Sequence, residues 1–508
     1  MVLLSAEMPV SYVPDARTVF IDINGSDQTG SGSAEKPWGS IQYAIDSVGP
    51  GSLIVVRYGV YAQKIKFEGP EDSGLADFPM MIKAQGAVLD GSSFAPADDD
   101  GMITIDNASH ILISGLEVRN YKTARVFSTP ASPAGAVIRG GGENIELRGL
   151  NIHGIEENAT CTQNDNNCDS SGNGIGVYGT TPEGLRNIRL IDNEVHGNIL
   201  GASEALTING NVDGFIVEGN FVHDNNNIGF DFIGGEGDIC SACTNTENRA
   251  RNGLVRSNKA ENNSIIHFGA NPWYAGEDGN AAGFYVDGGH HILLERNIST
   301  GNDLGLEIAS ENPGFGSDDI IVSSNFIYNN FEIGFAFGGY AQSNAGEGGG
   351  SASRLHVVNN TLYHNSGHSS EITMNYRVHD LSFVNNIVFG ETSIDENYEQ
   401  PSGSTQSSNL VWDNNLWWAS GTIDAVPVAD AGAVVADPQL TNIGGGSAAL
   451  ASGSTAIGAG QLETDISSWT DGFWMAHFPS GSIPVHGTRA IAGGARSVGA
   501  LDIGAAEQ

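Results

Sequence analysis

Short apolar runs recur along the middle of the chain, and most of them close on Asn or Gly. Ile111–Val118 (ILISGLEV), Ile145–Ile152 (IELRGLNI) and Ile188–Val195 (IRLIDNEV) open the series. Gly214–Asn220, Gly253–Asn258, Ile292–Asn297, Ile320–Asn325, Leu355–Asn360 and Leu381–Asn386 continue it. The runs have strand composition, and no amphipathic helix separates them, which excludes an ordinary α/β domain. The closing asparagines at 220, 258, 297, 325, 360 and 386 step by 38, 39, 28, 35 and 26 residues. A parallel β-helix coil needs ~20–30 residues plus loops of free length, and uneven steps suit it. Asn at the bend suits a left-handed corner, and stacked Asn side chains can hydrogen-bond from coil to coil.

The two ends break the pattern, as the ends of a solenoid must. Ser40–Val48 places Ile41, Ala44, Ile45 and Val48 on one helical face, the spacing of a short amphipathic helix capping the core. Residues 1–50 read as an N-terminal strand and cap, 51–420 as the parallel β-helix, and 421–508 as an irregular closing segment packed on it. The glycine-rich stretch Gly346–Ser351 reads as a loop between coils.

Strand parity then points to a face. In the second phrase of each coil, counted from its Gly, alternate residues turn outward. Gly229–Gly234 (GFDFIG) sends Phe230 and Phe232 in and Asp231 out; Gly283–Gly288 (GFYVDG) sends Tyr285 and Asp287 out. Gly305–Ala309 (GLEIA) sends Glu307 out, and Gly334–Gly338 (GFAFG) turns out only Ala336 and Gly338, leaving room for a ligand. Glu371–Asn375 is expected to expose Glu371, Thr373 and Asn375. Stacked in order, these residues make a groove floor of carboxylates and tyrosine. Asp287 and Glu307 are 20 residues apart, about one coil. With strands stacked ~4.8 Å apart and two residues adding ~6.6 Å, their carboxyl groups fall within ~5–9 Å, a range that covers retaining and inverting glycoside hydrolysis. Asp231 shares the register of Glu307 two coils away, as an alternative partner or a modulator of the pair.

Flanking segments supply candidate substrate contacts: Asn271, Trp273 and Tyr274 in one loop, Glu311 in the turn after Glu307, and Tyr340, Asn375 and Arg377 beyond. His290-His291 follows the Asp287 strand without further ligands at metal spacing and reads as a surface pair. Asn164–Asp169 is rich in oxygen ligands but lacks EF-hand spacing, so it reads as a solvated loop.

Composition narrows the class. Among 508 residues, 22 Lys and Arg stand against 60 Asp and Glu, a formal charge of −38. That balance argues against nucleic acid and anionic membrane surfaces, and no apolar run approaches the ~18 residues of a membrane span. Met1–Ser5 is too short for a signal peptide, so an exported form would carry a leader outside this sequence. Of four cysteines, Cys161 and Cys168 enclose six residues and Cys240 and Cys243 form C-x-x-C. Two local disulfides are the first reading, a four-cysteine zinc site the rival, and disulfides would favour an extracellular or periplasmic setting.

A family resemblance rests on both ends. Phe20–Asp27, Lys36–Asp46, Gly51–Tyr61 and Val88–Gly91 resemble the opening of right-handed parallel β-helix proteins that act on polysaccharides, of the glycoside hydrolase and polysaccharide lyase type. Asp437–Leu440, Ser452–Gly460 and Asp502–Glu507 resemble their closing segment. The resemblance implies an all-β, right-handed parallel β-helix with a short N-terminal capping helix, and a polysaccharide or oligosaccharide partner. Gly283–Asp287 followed by Leu306–Ile308 is also similar to the paired aspartate and glutamate strands of β-helical β-xylosidases. Phe284 stands where those carry Trp, and the residues after Asp287 do not match. That likeness implies Asp287 as nucleophile and Glu307 as acid/base, in a hydrolase needing no cofactor.

Two other classes compete. A polysaccharide lyase would need a base, with Tyr285, Tyr274 or His267 available, and a cation facing the uronate, from Arg377 or from Ca²⁺ held by the acidic floor. A non-catalytic carbohydrate-binding or adhesin solenoid would use the aromatic residues alone.

Overall fold

A computed structural model describes residues 17–97, 100–127, 131–166, 168, 170–269, 271–312, 314–340, 349–365, 370–390, 396–398, 406–420, 428–446, 448–486, 490–491 and 501–506. The chain folds as a right-handed parallel β-helix. Sheet I has 13 strands, from Thr18–Ile21 to Ser408–Asp413; sheet II has 11, from Ile65–Glu68 to Glu396–Tyr398; sheet III has 13, starting at Gly59–Tyr61. Each coil visits the sheets in the order II, I, III, as in Ala282–Asp287, His290–Glu295 and Ile298–Thr300.

Alternate residues of the strands fill one continuous apolar core, which includes Phe230, Phe232, Phe284, Val286, Leu306, Ile308, Phe335 and Phe337. Ile41–Ser47 forms the expected short helix, with Ile41, Ala44 and Ile45 buried in that core. A second short helix that the sequence pattern did not signal, Gly472–His477, is capped by Asp471, whose side chain accepts from the amides of Phe473 and Trp474. Among the described residues no helix is long and apolar enough to cross a membrane.

The recurring asparagines hold the corners. Between sheets I and III, each Nδ2 donates to the Oδ1 of the next coil: Asn193 to Asn220 (2.9 Å), Asn220 to Asn258 (3.0 Å), Asn258 to Asn297 (3.0 Å) and Asn297 to Asn325 (3.0 Å). The column continues through Asn360, Asn386 and Asn415. A second column joins Asn198, Asn225, Asn263, Asn302, Asn330 and Asn365 between sheets III and II. Each amide oxygen also takes a backbone N–H from the preceding coil, as Asn297 does from Asn258, so these buried amides leave little hydrogen-bonding capacity unused. The left-handed corner is not the column asparagine itself. It is the residue before it: Ser257, Arg296, Ser324, Asn359 and Asn385 all have positive φ. The corner residue turns the chain so that its successor can aim its amide along the helix axis.

Both cysteine pairs are bonded locally, Cys161–Cys168 and Cys240–Cys243, which removes the four-cysteine zinc alternative. Of the Asn164–Asp169 loop, Asn167 and Asp169 lie outside the described residues, as do 341–348, which include part of the glycine-rich stretch.

Candidate active site

Sheet II carries the predicted face. Thr207, Asp231, Tyr285, Glu307, Ala336 and Thr373 stand side by side on successive strands, and Asp287 lies opposite Ala309. Parity therefore holds residue by residue, because every coil keeps the same register here. The outward residues are nevertheless buried: relative exposure is 3% for Asp231, 4% for Tyr285, 8% for Asp287 and 3% for Glu307. A solvated acidic surface is thereby excluded for this group.

Six carboxylates converge, brought by four strand ends and their loops: Glu204, Asp231, Glu236, Asp287, Glu307 and Glu311. Like charges this close in a poorly hydrated site cannot all ionise together. Burial, then the Glu204, Asp287, Glu311 and Glu236 carboxylates, raises Asp231 well above the usual range. Asp287 is raised by burial and by Glu311, against the Glu311 backbone N–H, which donates to Asp287 Oδ1 at 3.0 Å and favours its anion. Glu307 is pushed up to about 7 by burial, opposed by a hydrogen bond from the Tyr340 hydroxyl to Oε1. Glu204 is pushed up to about 8 by burial and by Glu236. Burial raises Glu311 as well, and Glu236 adds to it. Tyr285 is raised by burial and by the Asp287 and Glu307 carboxylates.

Among the described residues, four buried oxygens on this face lack a hydrogen-bond partner: Thr207 Oγ1, Asn209 Oδ1, Asp231 Oδ1 and the Tyr285 hydroxyl, although Asn209 Nδ2 donates to Glu236 Oε2 at 2.6 Å. A cleft of about 380 Å³ opens beside them toward the earlier coils, lined by Glu204, Glu236, Asn209, Asn173, Tyr178 and Arg139 among others. Arg139 is paired with Asp106 at 3.1 Å. Asp231, Asp287, Glu307 and Tyr285 do not line this cleft; Glu204 and Glu236 are what join it to them.

The predicted contacts divide. Tyr274 reaches the cluster, where burial and Glu204 push its hydroxyl up to about 12. Glu311 and Tyr340 also lie within it. Trp273 is half-buried in the short 3-10 turn Pro272–Tyr274, and Gln163 donates to its backbone carbonyl. Asn271 is buried; its Oδ1 accepts from the Trp273 backbone N–H and its Nδ2 donates to the Gly201 and Asn226 carbonyls. Its side chain builds the loop and is spent there. Arg377 donates to the Tyr340 carbonyl at 2.9 Å and the Gly350 carbonyl at 3.3 Å, so it braces the segment that carries Tyr340. Asn375 is half-buried, and its amide donates to the Phe337 carbonyl. His267 is exposed and stacks on Phe331.

Two further expectations change. Glu371 does not open into a groove; it is fully buried, and its carboxylate accepts from the Asn365 amide and side chain, which terminates the second asparagine column. It stands opposite Gly334, two residues before Thr373 and with the same parity, so at this strand start the corner amide of Asn365, not parity, decides where the side chain goes. The space beside Ala336 is likewise filled, since Tyr340 packs there with Tyr285, Ala309 and Ala336. Parity missed Glu204 and Glu236 because both sit in loops. Reading Leu206–Asn209 (LTIN) as one more coil with Thr207 and Asn209 outward would have placed a search beside them.

No family model matches the chain. Similar solved structures include pectate lyase Pel9A, 15% identical with 97% of this chain and 96% of that chain covered and a TM-score of 0.48. A GH136 lacto-N-biosidase from Eubacterium ramulus is 14% identical over 83% of this chain and 67% of that one, TM-score 0.46. The mannuronan C-5 epimerase AlgE6 A-module of Azotobacter vinelandii is 15% identical over 78% and 95%, TM-score 0.46. In sequence, the uncharacterized protein YwoF of Bacillus subtilis (strain 168) is 31% identical over 399 residues, covering 77% of this chain and 79% of that protein. At that identity and coverage the chain belongs to the YwoF family.

Proposed function

We propose that this protein is a carbohydrate-active enzyme that hydrolyses glycosidic bonds with Asp287 and Glu307. The observation carrying this reading is a buried carboxylate pair on adjacent strands in which each member has a different hydrogen bond. Glu307, held near 7 and bonded by Tyr340, is protonated often enough at neutral pH to donate to the departing glycosidic oxygen. Asp287 is raised on balance by burial and Glu311; its ionised form, which the Glu311 backbone N–H favours, attacks the anomeric carbon, and Glu307 then deprotonates the water that releases the sugar. Besides burial, Glu311 raises both members and Glu236 raises Asp287 further, and the cleft beside Glu204 and Glu236, with Tyr178 and Asn173, holds the adjoining sugar units. Pectate lyase, lacto-N-biosidase and mannuronan epimerase are the named activities of similar folds, and the same substrate chemistry, a polysaccharide or oligosaccharide, is proposed here. The two disulfides suit an extracellular or periplasmic setting.

The test is product analysis on a panel of neutral and uronate glycans. New reducing ends without unsaturated product, abolished in Glu307→Gln and Asp287→Asn, are expected. Wild-type activity in both variants would sink the assignment.

A second reading has one observation in its favour. Asp231 Oδ1 is buried without a partner among carboxylates, which suits a hard cation with oxygen ligands. A Ca²⁺ beside Asp231 would neutralise a uronate carboxylate for β-elimination. Chelator-sensitive release of a product with the ultraviolet absorbance of an unsaturated uronate would decide for that reading.

A further inference from the structure

The outer face of sheet I carries a column of residues in left-handed conformation: Asn144, Asn187, Gly214, Asn252, His291, Asp319, Arg354, Asp380 and Asn409. They stand opposite one another, each skipped by the ladder of its strand, as between His290↔Asp318 and Ile292↔Ile320. Asn, Asp and Gly tolerate this conformation best, and they fill the column except at His291, Arg354 and His110, which stands opposite Asn144. His291 and Arg354 adjoin each other through Asp319.

There, three potential ligands converge. His290 Nδ1 is 3.7 Å and His291 Nε2 3.9 Å from the same oxygen, Asp319 Oδ2, and the ligand atoms of the three residues lie within 4.8 Å of one another. Ligands around a tetrahedral zinc at 2.0–2.1 Å sit about 3.3 Å apart, so small side-chain shifts would close the site. Asp318 Oδ2, 3.1 Å from His290 Nδ1, flanks the group. His290 and His291 read as a surface pair in the sequence because Asp319 lies 28 residues on, one coil away.

The neighbours of His291 set its tautomer. The Trp474 indole N–H donates to Asn252 Oδ1 at 3.0 Å, and Asn252 Nδ2 donates to Asp213 Oδ1 at 2.7 Å. Asn252 therefore presents its oxygen to His291 Nδ1, 3.3 Å away, and that nitrogen carries the hydrogen. In the neutral ring Nε2 then holds a lone pair facing the Asp319 carboxylate. Two electron-rich atoms face each other, an arrangement favourable only with a cation between or beside them. An amide oxygen orienting the far side of a ligand imidazole is the usual outer support of a metal histidine. The cation beside them is Arg354, whose Nη2 lies 2.5 Å from Asp318 Oδ2 and 2.8 Å from Asp319 Oδ2. Its side chain is 47% exposed, free to leave toward solvent. Asp318 stays anchored through its other oxygen by Arg249 at 2.5 Å.

We propose that His290, His291 and Asp319 form a binding site for a first-row transition-metal dication of the Zn²⁺ type, which displaces Arg354 from the Asp319 carboxylate. Imidazole nitrogens with one carboxylate select such ions over Ca²⁺ or Mg²⁺. The site lies on sheet I, outside the carboxylate cluster of sheet II.

The experiment titrates chelator-treated protein with ZnCl₂ by calorimetry. One equivalent is expected to bind, at least tenfold more weakly in His291→Asn and in Asp319→Asn. Asparagine already occupies this column at Asn252 and Asn409, so both variants should keep the wild-type circular dichroism. Arg354→Gln removes the competing cation and should bind Zn²⁺ more tightly, a gain that misfolding cannot produce. The proposal is overturned by absence of Zn²⁺ binding, by unchanged or weaker binding in Arg354→Gln, or by binding that survives His291→Asn and Asp319→Asn but is lost in Asp231→Asn.

Discussion

Two buried polar regions of this molecule solve opposite problems. In the asparagine columns each amide meets a donor or acceptor of the next coil: Asn297 receives the amide and Nδ2 of Asn258 and gives Nδ2 to the Val255 carbonyl and Asn325 Oδ1. On the outer face of sheet II, carboxylates meet other carboxylates, and Asp231 Oδ1 and Asn209 Oδ1 have no partner. Burial costs both regions solvation, and only the columns recover it within the protein. A satisfied network builds architecture; a buried cluster of like charge is the kind of arrangement that functional sites carry. The comparison can be broken in four ways.

The largest effect is expected on catalysis. Glu307→Gln and Asp287→Asn should each lower turnover of the responsive glycan by ~10²–10⁴-fold, the scale for loss of an acid–base group. The double variant should be scarcely worse than the poorer single one. Steady-state kinetics with circular dichroism as a folding control checks both, and additive losses would separate the two residues.

Next comes the architecture. Asn297→Ala strands the Asn258 amide groups and the Val255 carbonyl in the interior, at a cost of ~2–5 kcal/mol, read as a lowered Tm or urea midpoint. A loss below about 1 kcal/mol would mean that the columns are not what holds the corners.

The sheet II cluster should respond with the opposite sign. Asp231→Asn removes one of the buried like charges and should stabilise the protein by ~0.5–2 kcal/mol at pH 8, the gain typical when a functional site is relieved. Glu307 near 7 and Glu204 near 8 stand above an unfolded value of about 4.3, so the native state binds more protons between these limits. Stability then falls as pH rises from about 4.5 to 8. Tm should be higher at pH 5.5 than at pH 8, with a shallower slope in Asp231→Asn and Glu204→Gln. A flat profile in the wild type would remove the like-charge cluster from the account.

The smallest effect concerns the short disulfide loops. Mass spectrometry without reductant should find Cys161 linked to Cys168 and Cys240 to Cys243. Reduction should shift Tm less than Asn297→Ala does, since short closed loops constrain the unfolded chain least.

The repeat, the stacked asparagines and the outward register of the sheet II row are legible in the sequence alone. Those are local properties: a strand's side chains alternate with period two, and asparagines one coil apart must stack if the coils do. Asp231, Tyr285, Asp287 and Glu307 were legible for that reason. Only the tertiary structure decided what covers them. Tyr340 reaches Glu307 from 33 residues away, Glu204 and Glu236 arrive on loops with no period, and Asn271, Arg377 and Glu371 are consumed by backbone and amide partners that no spacing rule names. The closing segment lays Trp469, Trp474, Ile483 and Val485 over Ile191, Ile216, Leu254, Leu293 and Ile321 of sheet I, and Trp474 thereby reaches Asn252. Parity tells which way a side chain leaves its strand, but burial, charge and hydrogen bonding depend on which distant segment comes to lie over it.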